Sequence, residues 1–246
     1  MCGIFNGSSS HIVGSWMPGN IRPYWVQAWF KQESAAHGCA LWFGNSGRQD
    51  QYRQLVTLGS GDQTIEFRSR HTGGSVPIES GNTINYSEWN HALFEETASH
   101  DKRVILNGDV VSGGFIDTSV TWQTVITLAI GRINTNSPGT YFSGRIGYVW
   151  IGEGELSNAQ RTALASGYHY SLFKGLGLDA LDVIIDQPLV AAANEGSDGV
   201  SLTANNMTWD SDDNPPIVFE LDKRFRALRS PLLSPSYPSL RPTTSL

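Results

Sequence analysis

From its start to about position 150, the chain is a series of short apolar stretches separated by clusters of Gly, Ser, Asn and Asp. This is the punctuation of β-strands and tight turns, and it points to an all-β body. In TIEFRSR, Ile65 and Phe67 face one way while Thr64, Glu66 and Arg68 face the other, the pattern of a strand with one wet face. RIGYVWIG is apolar on both faces and belongs in the middle of a sheet with both surfaces covered. Strands are predicted near 4–6, 11–15, 24–31, 39–43, 52–58, 64–70, 89–95, 103–106, 125–130 and 145–151.

Two local signals are sharper. Asn107-Gly108 follows KRVIL and precedes DVV, and this pair supplies the positive backbone angles of a two-residue hairpin. LSNAQRTALASG carries a capping box, Ser157 with Gln160. Its apolar side is expected at Ala159, Ala163 and Leu164, and Gly167 is placed to stop the helix. A helix this short depends on packing against the sheets.

A chain of 246 residues has room for one all-β domain with appendages. Eight tryptophans suit strand faces, sugar-stacking surfaces and subunit interfaces alike, so they do not select a function. The net charge of −6 argues against nucleic-acid binding by the body, and no apolar run reaches membrane-spanning length. The amino terminus lacks the pattern of a signal peptide, which predicts folding in a cytoplasm with Cys2 and Cys39 as free thiols. The charge is uneven: from Leu221 onward five Lys or Arg face one acidic residue, leaving the body strongly acidic.

The segments YSEWNHALFEETASHDKRVILNGDVVSG and LAIGRINTNSPGTYFSGRIGYVWIGEGELSNAQRTALASG resemble the laminin-G-like and pentraxin-like branch of the concanavalin A-like jelly rolls. The elements are a Trp-x-His strand, an Asn-Gly hairpin, a Phe-x-Gly-x-Ile strand and a short closing helix opening with Leu-Ser, in that order. GIFNGSSSHIV and YWVQAWFKQES resemble the first hairpin and first long strand, so the likeness runs over residues 1–173. It implies an antiparallel jelly-roll sandwich with one short helix. That fold hosts lectins, glycanases, adhesion modules and virion proteins, so function has to come from residues.

A retaining glycanase needs two carboxylates about 5 Å apart across the bond it cleaves. Glu95 and Glu96 are adjacent, so on a strand they point to opposite faces, and no other pair has the required spacing. The chain is therefore expected not to be an enzyme. His91 has no companion ligand and is expected to be structural, and Cys39 in CALWF to be a small core residue. Many relatives bind calcium, and DSDDN at 210–214 opens like a calcium loop. However, Pro215 replaces the turn glycine and Leu221 the closing Glu, so an EF-hand is excluded. Calcium is kept only as a looser alternative there or around Glu153 and Glu155; no cofactor is the expectation. Trp16, Trp42 and Trp122 lie near turns and are the candidates for stacking on a glycan.

Residues 174–214 promise two or three more strands, forming a small added sheet. Residues 215–246 carry closely spaced prolines and read as an extended arm. Its expected docking residues are Ile217, Phe219, Phe225, Arg226, Leu228, Arg229, Leu232, Leu233 and Tyr237. Together with the resemblance, the arm predicts a structural protein of a tailed-phage virion, foremost a head decoration or cement subunit. It would be oligomeric in the particle and bound to other virion subunits, capsid or tail. The alternative is a carbohydrate-binding lectin or tail adhesion protein that contacts a host surface glycan. Neither nucleic acid nor membrane is expected as a partner.

Overall fold

The computed structural model describes residues 2–16, 23–45, 52–57, 63–71, 74–97, 101–115, 126–134, 139–168, 180–183, 201–210, 212–213 and 215–216. They form an all-β sandwich of two antiparallel sheets with one short helix.

Sheet A contains β1 (Cys2–Asn6), β3 (Tyr24–Gln32), β8 (Asn90–Glu96), β9 (Asp101–Leu106), β10 (Asp109–Phe115), β12 (Ser143–Glu153) and β15 (Thr208–Asp210). Their order is β10-β9-β8-β3-β12-β1-β15, with β13 (Ala180–Val183) also paired to β12. Sheet B contains β2 (His11–Trp16), β4 (Gly38–Asn45), β5 (Tyr52–Thr57), β6 (Ile65–His71), β7 (Gly74–Glu79), β11 (Ile126–Ile130) and β14 (Ser201–Asn205). Its order is β14-β2-β11-β4-β5-β6-β7.

The main core lies between the sheets. Phe30, Ala92 and Phe94 of sheet A meet Leu41, Phe43, Leu55, Phe67 and Leu128 of sheet B, all buried. β12 is internal, as its two apolar faces require, and its phase is set by a bulge. Tyr148 has φ +49 and the register with β3 shifts between Gly147 and Trp150. The extra residue turns Ile146, Val149 and Ile151 all inward and leaves Tyr148 and Trp150 outward.

The Asn107-Gly108 turn has φ of +52 and +90, the two positive angles of a type I′ hairpin, with Leu106 opposite Asp109. Asn107 also holds β8: its Oδ1 accepts from the His91 amide at 2.8 Å and its Nδ2 donates to Asn90 Oδ1 at 3.0 Å.

Helix α1 (Asn158–Ala165) has the expected capping box. Gly167, at φ +85, donates to the Leu164 carbonyl and Tyr168 to that of Ala163, the two bonds of a Schellman stop. Of its three expected apolar residues only Leu164 is buried; Ala159 is exposed, because a helix of eight residues lying over a sheet has one turn in contact.

Four other expectations change. Glu66 was assigned to a wet face but is 4% exposed, held by Arg68 at 2.6 Å. Trp89 precedes β8 instead of starting it, and its indole N–H donates to Asp213 at 2.8 Å. Among the described residues, the extra strands join the two main sheets: β13 and β15 pair into sheet A and β14 into sheet B. Pro215, expected to begin the arm, is buried on the sandwich, where a Cβ added at Gly147 of β12 would come within 3.2 Å of it.

Candidate functional site

The outer face of sheet A is largely packed, with a smaller recess of about 280 Å³ between helix α1 and β9/β10. Trp25, Trp29, Leu93, Tyr148 and Trp150 are buried there with Leu156 and Leu164. Glu95 of β8 clamps the helix onto this face: its carboxylate accepts from Arg161 at 2.9 and 3.1 Å and from the Leu156 amide at 3.1 Å. Burial pushes the Glu95 carboxyl above its ordinary range, against the pull of Arg161, the Leu156 amide and Arg103. Glu96 points the other way, into the space between the sheets, and pairs with the buried Arg53 at 3.4 Å. Nearby, burial and the charge of Arg53 push Lys102 down to about 8, against Glu96 and Glu66. The adjacent carboxylates thus serve opposite faces, as strand geometry requires, and each is engaged by arginine.

His91 is fully buried on the sheet A face, with Nε2 3.0 Å from Gln27 Oε1 and its ring 5.2 Å from that of Trp29. Burial pushes its pKa down to about 3. Both cysteines are buried and free, and burial raises each thiol, that of Cys2 to about 11.

The outer face of sheet B differs. Its middle is packed by Cys39, Trp42, Tyr52, Val56 and Ala129. Toward β14, β2 and β11 it opens into a cleft of about 590 Å³. β2 contributes His11, Val13 and the backbone of Gly14, β11 contributes Thr127, and β14 contributes Thr203 and Asn205. Arg132, just past β11, completes the wall. The alternation that sends Ile12, Leu128 and Ile130 into the core sends their neighbours out to this face.

Local sequence fixes the two charged or titratable members. In NGSSS, Asn6 Oδ1 accepts from the amides of Ser8, Ser9 and Ser10 at 3.0, 2.8 and 3.0 Å, which sets the turn before β2. The Ser9 carbonyl then lies 2.7 Å from His11 Nδ1. A carbonyl only accepts, so Nδ1 carries the proton and Nε2 of the neutral ring is an acceptor. Burial lowers the His11 pKa, with Arg132 acting in the same direction and the Ser9 carbonyl opposing. The hydroxyl of Ser10 donates to the Asn206 carbonyl at 2.6 Å, fastening this turn to the one after β14.

Arg132 stands on a pinned turn. Gly131 has φ +83, and a Cβ there would come within 2.1 Å of the Phe5 ring, so only glycine fits. Its amide donates to Ala40 at 3.0 Å and its carbonyl accepts from Phe142 at 2.9 Å. The Arg132 guanidinium donates through Nη2 to Asn134 Oδ1 at 2.7 Å, and its buried Nε has no hydrogen-bond partner.

Of the tryptophans proposed for stacking, Trp42 is 2% exposed, its ring 5.8 Å from that of Tyr52, so it forms part of the packed floor of sheet B and not an open rim. Trp16 ends β2, with a side chain outside the described residues, where Trp122 and all the named arm residues also lie. Asp213 accepts from Lys31 at 2.7 Å and Trp89 at 2.8 Å, and both Asp213 and Asp210 lie against Arg145. These carboxylates of the DSDDN stretch therefore fasten β15 to sheet A. No three His, Cys, Asp or Glu side chains gather as metal ligands among the described residues. His11, Thr127, Arg132, Thr203 and Asn205 were not foreseen as site residues. They lie far apart in sequence, and the one signal available was the outward phase of His11 and Thr127 on their predicted strands.

The chain belongs to the concanavalin A-like lectin/glucanase superfamily, whose family profile matches residues 10–160. No curated protein matches the sequence. Among solved structures it is similar to a putative carbohydrate binding protein from Bacteroides ovatus, at 16% identity over 88% of this chain and 61% of that one, with a TM-score of 0.60. It is also similar to a native heptameric SAP-like pentraxin from Limulus polyphemus, at 14% identity over 67% and 81% of the two chains, TM-score 0.54. Domain 4 of AbnA, a GH43 extracellular arabinanase from Geobacillus stearothermophilus in complex with arabinotriose, matches at 24% identity over 67% and 76%, TM-score 0.52. At these identities the likeness is one of fold.

Proposed function

We propose that the chain is a non-catalytic, lectin-like module that binds a glycan in the cleft on sheet B. The carrying observation is the cleft itself, an open recess of about 590 Å³ in which three strands and the turn after β11 present hydroxyl, amide, imidazole and guanidinium groups around Val13. Such a mixture suits the alternating hydroxyls and C–H faces of a sugar ring. Neither Glu95 nor Glu96 lines it, which speaks for binding over hydrolysis. The superfamily includes lectins, and the similar structures include a putative carbohydrate binding protein and an arabinanase domain holding arabinotriose.

The test is a panel of neutral and acidic oligosaccharides offered to the wild type and to Thr203→Trp. Thr203 is exposed on β14, so the substitution fills the cleft without entering the core. The expected result is saturable binding by the wild type, weakened about tenfold or more in the variant at an unchanged melting temperature. Equal binding by the two proteins would remove the cleft as the site, and no binding to any sugar would remove the reading.

The second reading, a head decoration or other virion subunit anchored through residues 217–246, is supported by the proline-stiffened, basic and apolar character of that segment. It predicts that removing 217–246 abolishes incorporation into particles while glycan binding persists.

A further inference from the structure

Resting on the glycan reading, we infer that the cleft selects sugars bearing a carboxylate, with Arg132 pairing the acid and His11 strengthening the hold in mild acid.

The cleft carries one permanent charge among the described residues. Among the described residues that line it, Arg132 is the sole ion and no carboxylate is present, although the protein as a whole is acidic. The guanidinium is restrained from both ends, by the glycine turn that precedes it and by Asn134 on Nη2. A planar fork held in this way recognises a carboxylate with better geometry and less lost freedom than a lysine would. A neutral sugar would leave that charge partly desolvated without compensation.

His11 adds a second layer. Its Nδ1–H is committed to the Ser9 carbonyl, so protonation changes only Nε2, which turns from acceptor to donor. Among the described residues, the groups facing the ring are the Ser9 carbonyl, the Arg132 charge, the Tyr141 ring at 6.2 Å and Asn205 opposite on β14; none of these carries negative charge. In the free protein burial, with Arg132 acting the same way, pushes the His11 pKa below its ordinary 6.5, against the Ser9 carbonyl. A bound carboxylate reverses that balance by supplying the missing negative charge. The His11 pKa in the complex is then higher than in the free protein, so binding takes up protons and tightens as the pH falls toward 5 or so. A neutral sugar that donates a hydroxyl to Nε2 shows the opposite trend, since protonation removes its acceptor.

The experiment is titration calorimetry on the full chain with a galacturonic acid oligosaccharide and a sialylated oligosaccharide, each beside its methyl ester, at about pH 5.5 and about pH 7.5 and in buffers of different ionisation enthalpy. One or both acids should bind about tenfold more tightly than the ester, and more tightly at the lower pH with net proton uptake. Arg132→Gln should erase the acid preference and Arg132→Lys should restore part of it. His11→Gln should keep the acid preference and lose the pH dependence. Esters that bind as tightly as the acids overturn the inference while leaving the glycan reading standing. Acid preference whose pH dependence persists in His11→Gln, or is missing from the wild type, overturns the role of His11. If no form of either sugar binds while a neutral glycan does, carboxylate selection is wrong; if nothing binds at all, the glycan reading falls with it.

Discussion

The buried His91 makes a quantitative claim about acid. Its folded pKa is pushed from 6.5 down to about 3 by burial, while in the unfolded chain it titrates normally. Above pH 6.5 both states hold a neutral ring, and the contribution to stability is fully present. As the pH falls from 6.5 toward 3 the unfolded state takes up a proton that the folded state does not, and stability is lost. Each pH unit inside that window costs about 1.4 kcal/mol, so the loss from about pH 6 to about pH 4 is on the order of 2 to 3 kcal/mol, allowing for partial titration at the upper end. His91→Gln removes the titration and retains a group that can reach Gln27, while the bond from the residue 91 amide to Asn107 is untouched. Urea unfolding of both proteins, followed by tryptophan fluorescence across this range, gives the difference directly. Asp210 and Asp213, whose pKa values are lowered, and Glu95, whose pKa is raised, titrate in both proteins and cancel in the subtraction. The wild type should lose its advantage over the variant by that amount as the pH drops. Parallel stability curves would show that His91 is protonated in the folded state or open to solvent, and the burial argument would be refuted.

Other expectations follow from geometry. Gly144→Ala would place a Cβ within 2.2 Å of the Lys31 carbonyl at φ +140, and a loss of about 3 kcal/mol or more should appear in thermal melting. At Gly108, φ is +90 and the nearest obstacle is the Ala165 Cβ at 3.9 Å, so Gly108→Val meets conformational strain alone, about 1 kcal/mol, read by chemical denaturation. Glu95→Gln leaves Arg161 against a neutral partner on a largely buried face; a loss of about 3 kcal/mol is expected, with helix α1 amides exchanging hydrogen faster. Residues 1–216 should melt cooperatively close to the full chain, because Asp213 and Pro215 already fasten the last described strand to sheet A; a molten truncation would contradict this.

The strands of the sandwich were legible because each buries one face or two and so carries a period the eye can follow. β7 escaped because Gly74 and Pro77 break the β signal, and an edge strand tolerates both. Glu66 was misplaced for a related reason: alternation assigns a face, but only the neighbouring Arg68 decides whether that face is wet. The hairpin at 107–108 and the stops of α1 were legible because a backbone angle dictates the residue type there. The cleft was not. Its walls come from residues 11–14, 127–132 and 203–205, and no local pattern announces a surface assembled by strand pairing. Tryptophan content alone does not mark a site either: Trp25, Trp29 and Trp150 pack in the outer layer of sheet A and Trp42 in the packed part of sheet B.

The pairing of β14 with β2 carries a consequence for how the site comes into being. Asn205 stands opposite His11, Thr203 opposite Val13, and Ala204 between them packs toward the core. A slip of one residue would turn Thr203 and Asn205 inward and put an alanine on the cleft wall. The shape of the proposed glycan cleft therefore depends on the register of a single edge strand contributed nearly two hundred residues after its partner. During synthesis the cleft has no third wall until that distant stretch has been made, so the proposed site is completed only when β14 covers β2.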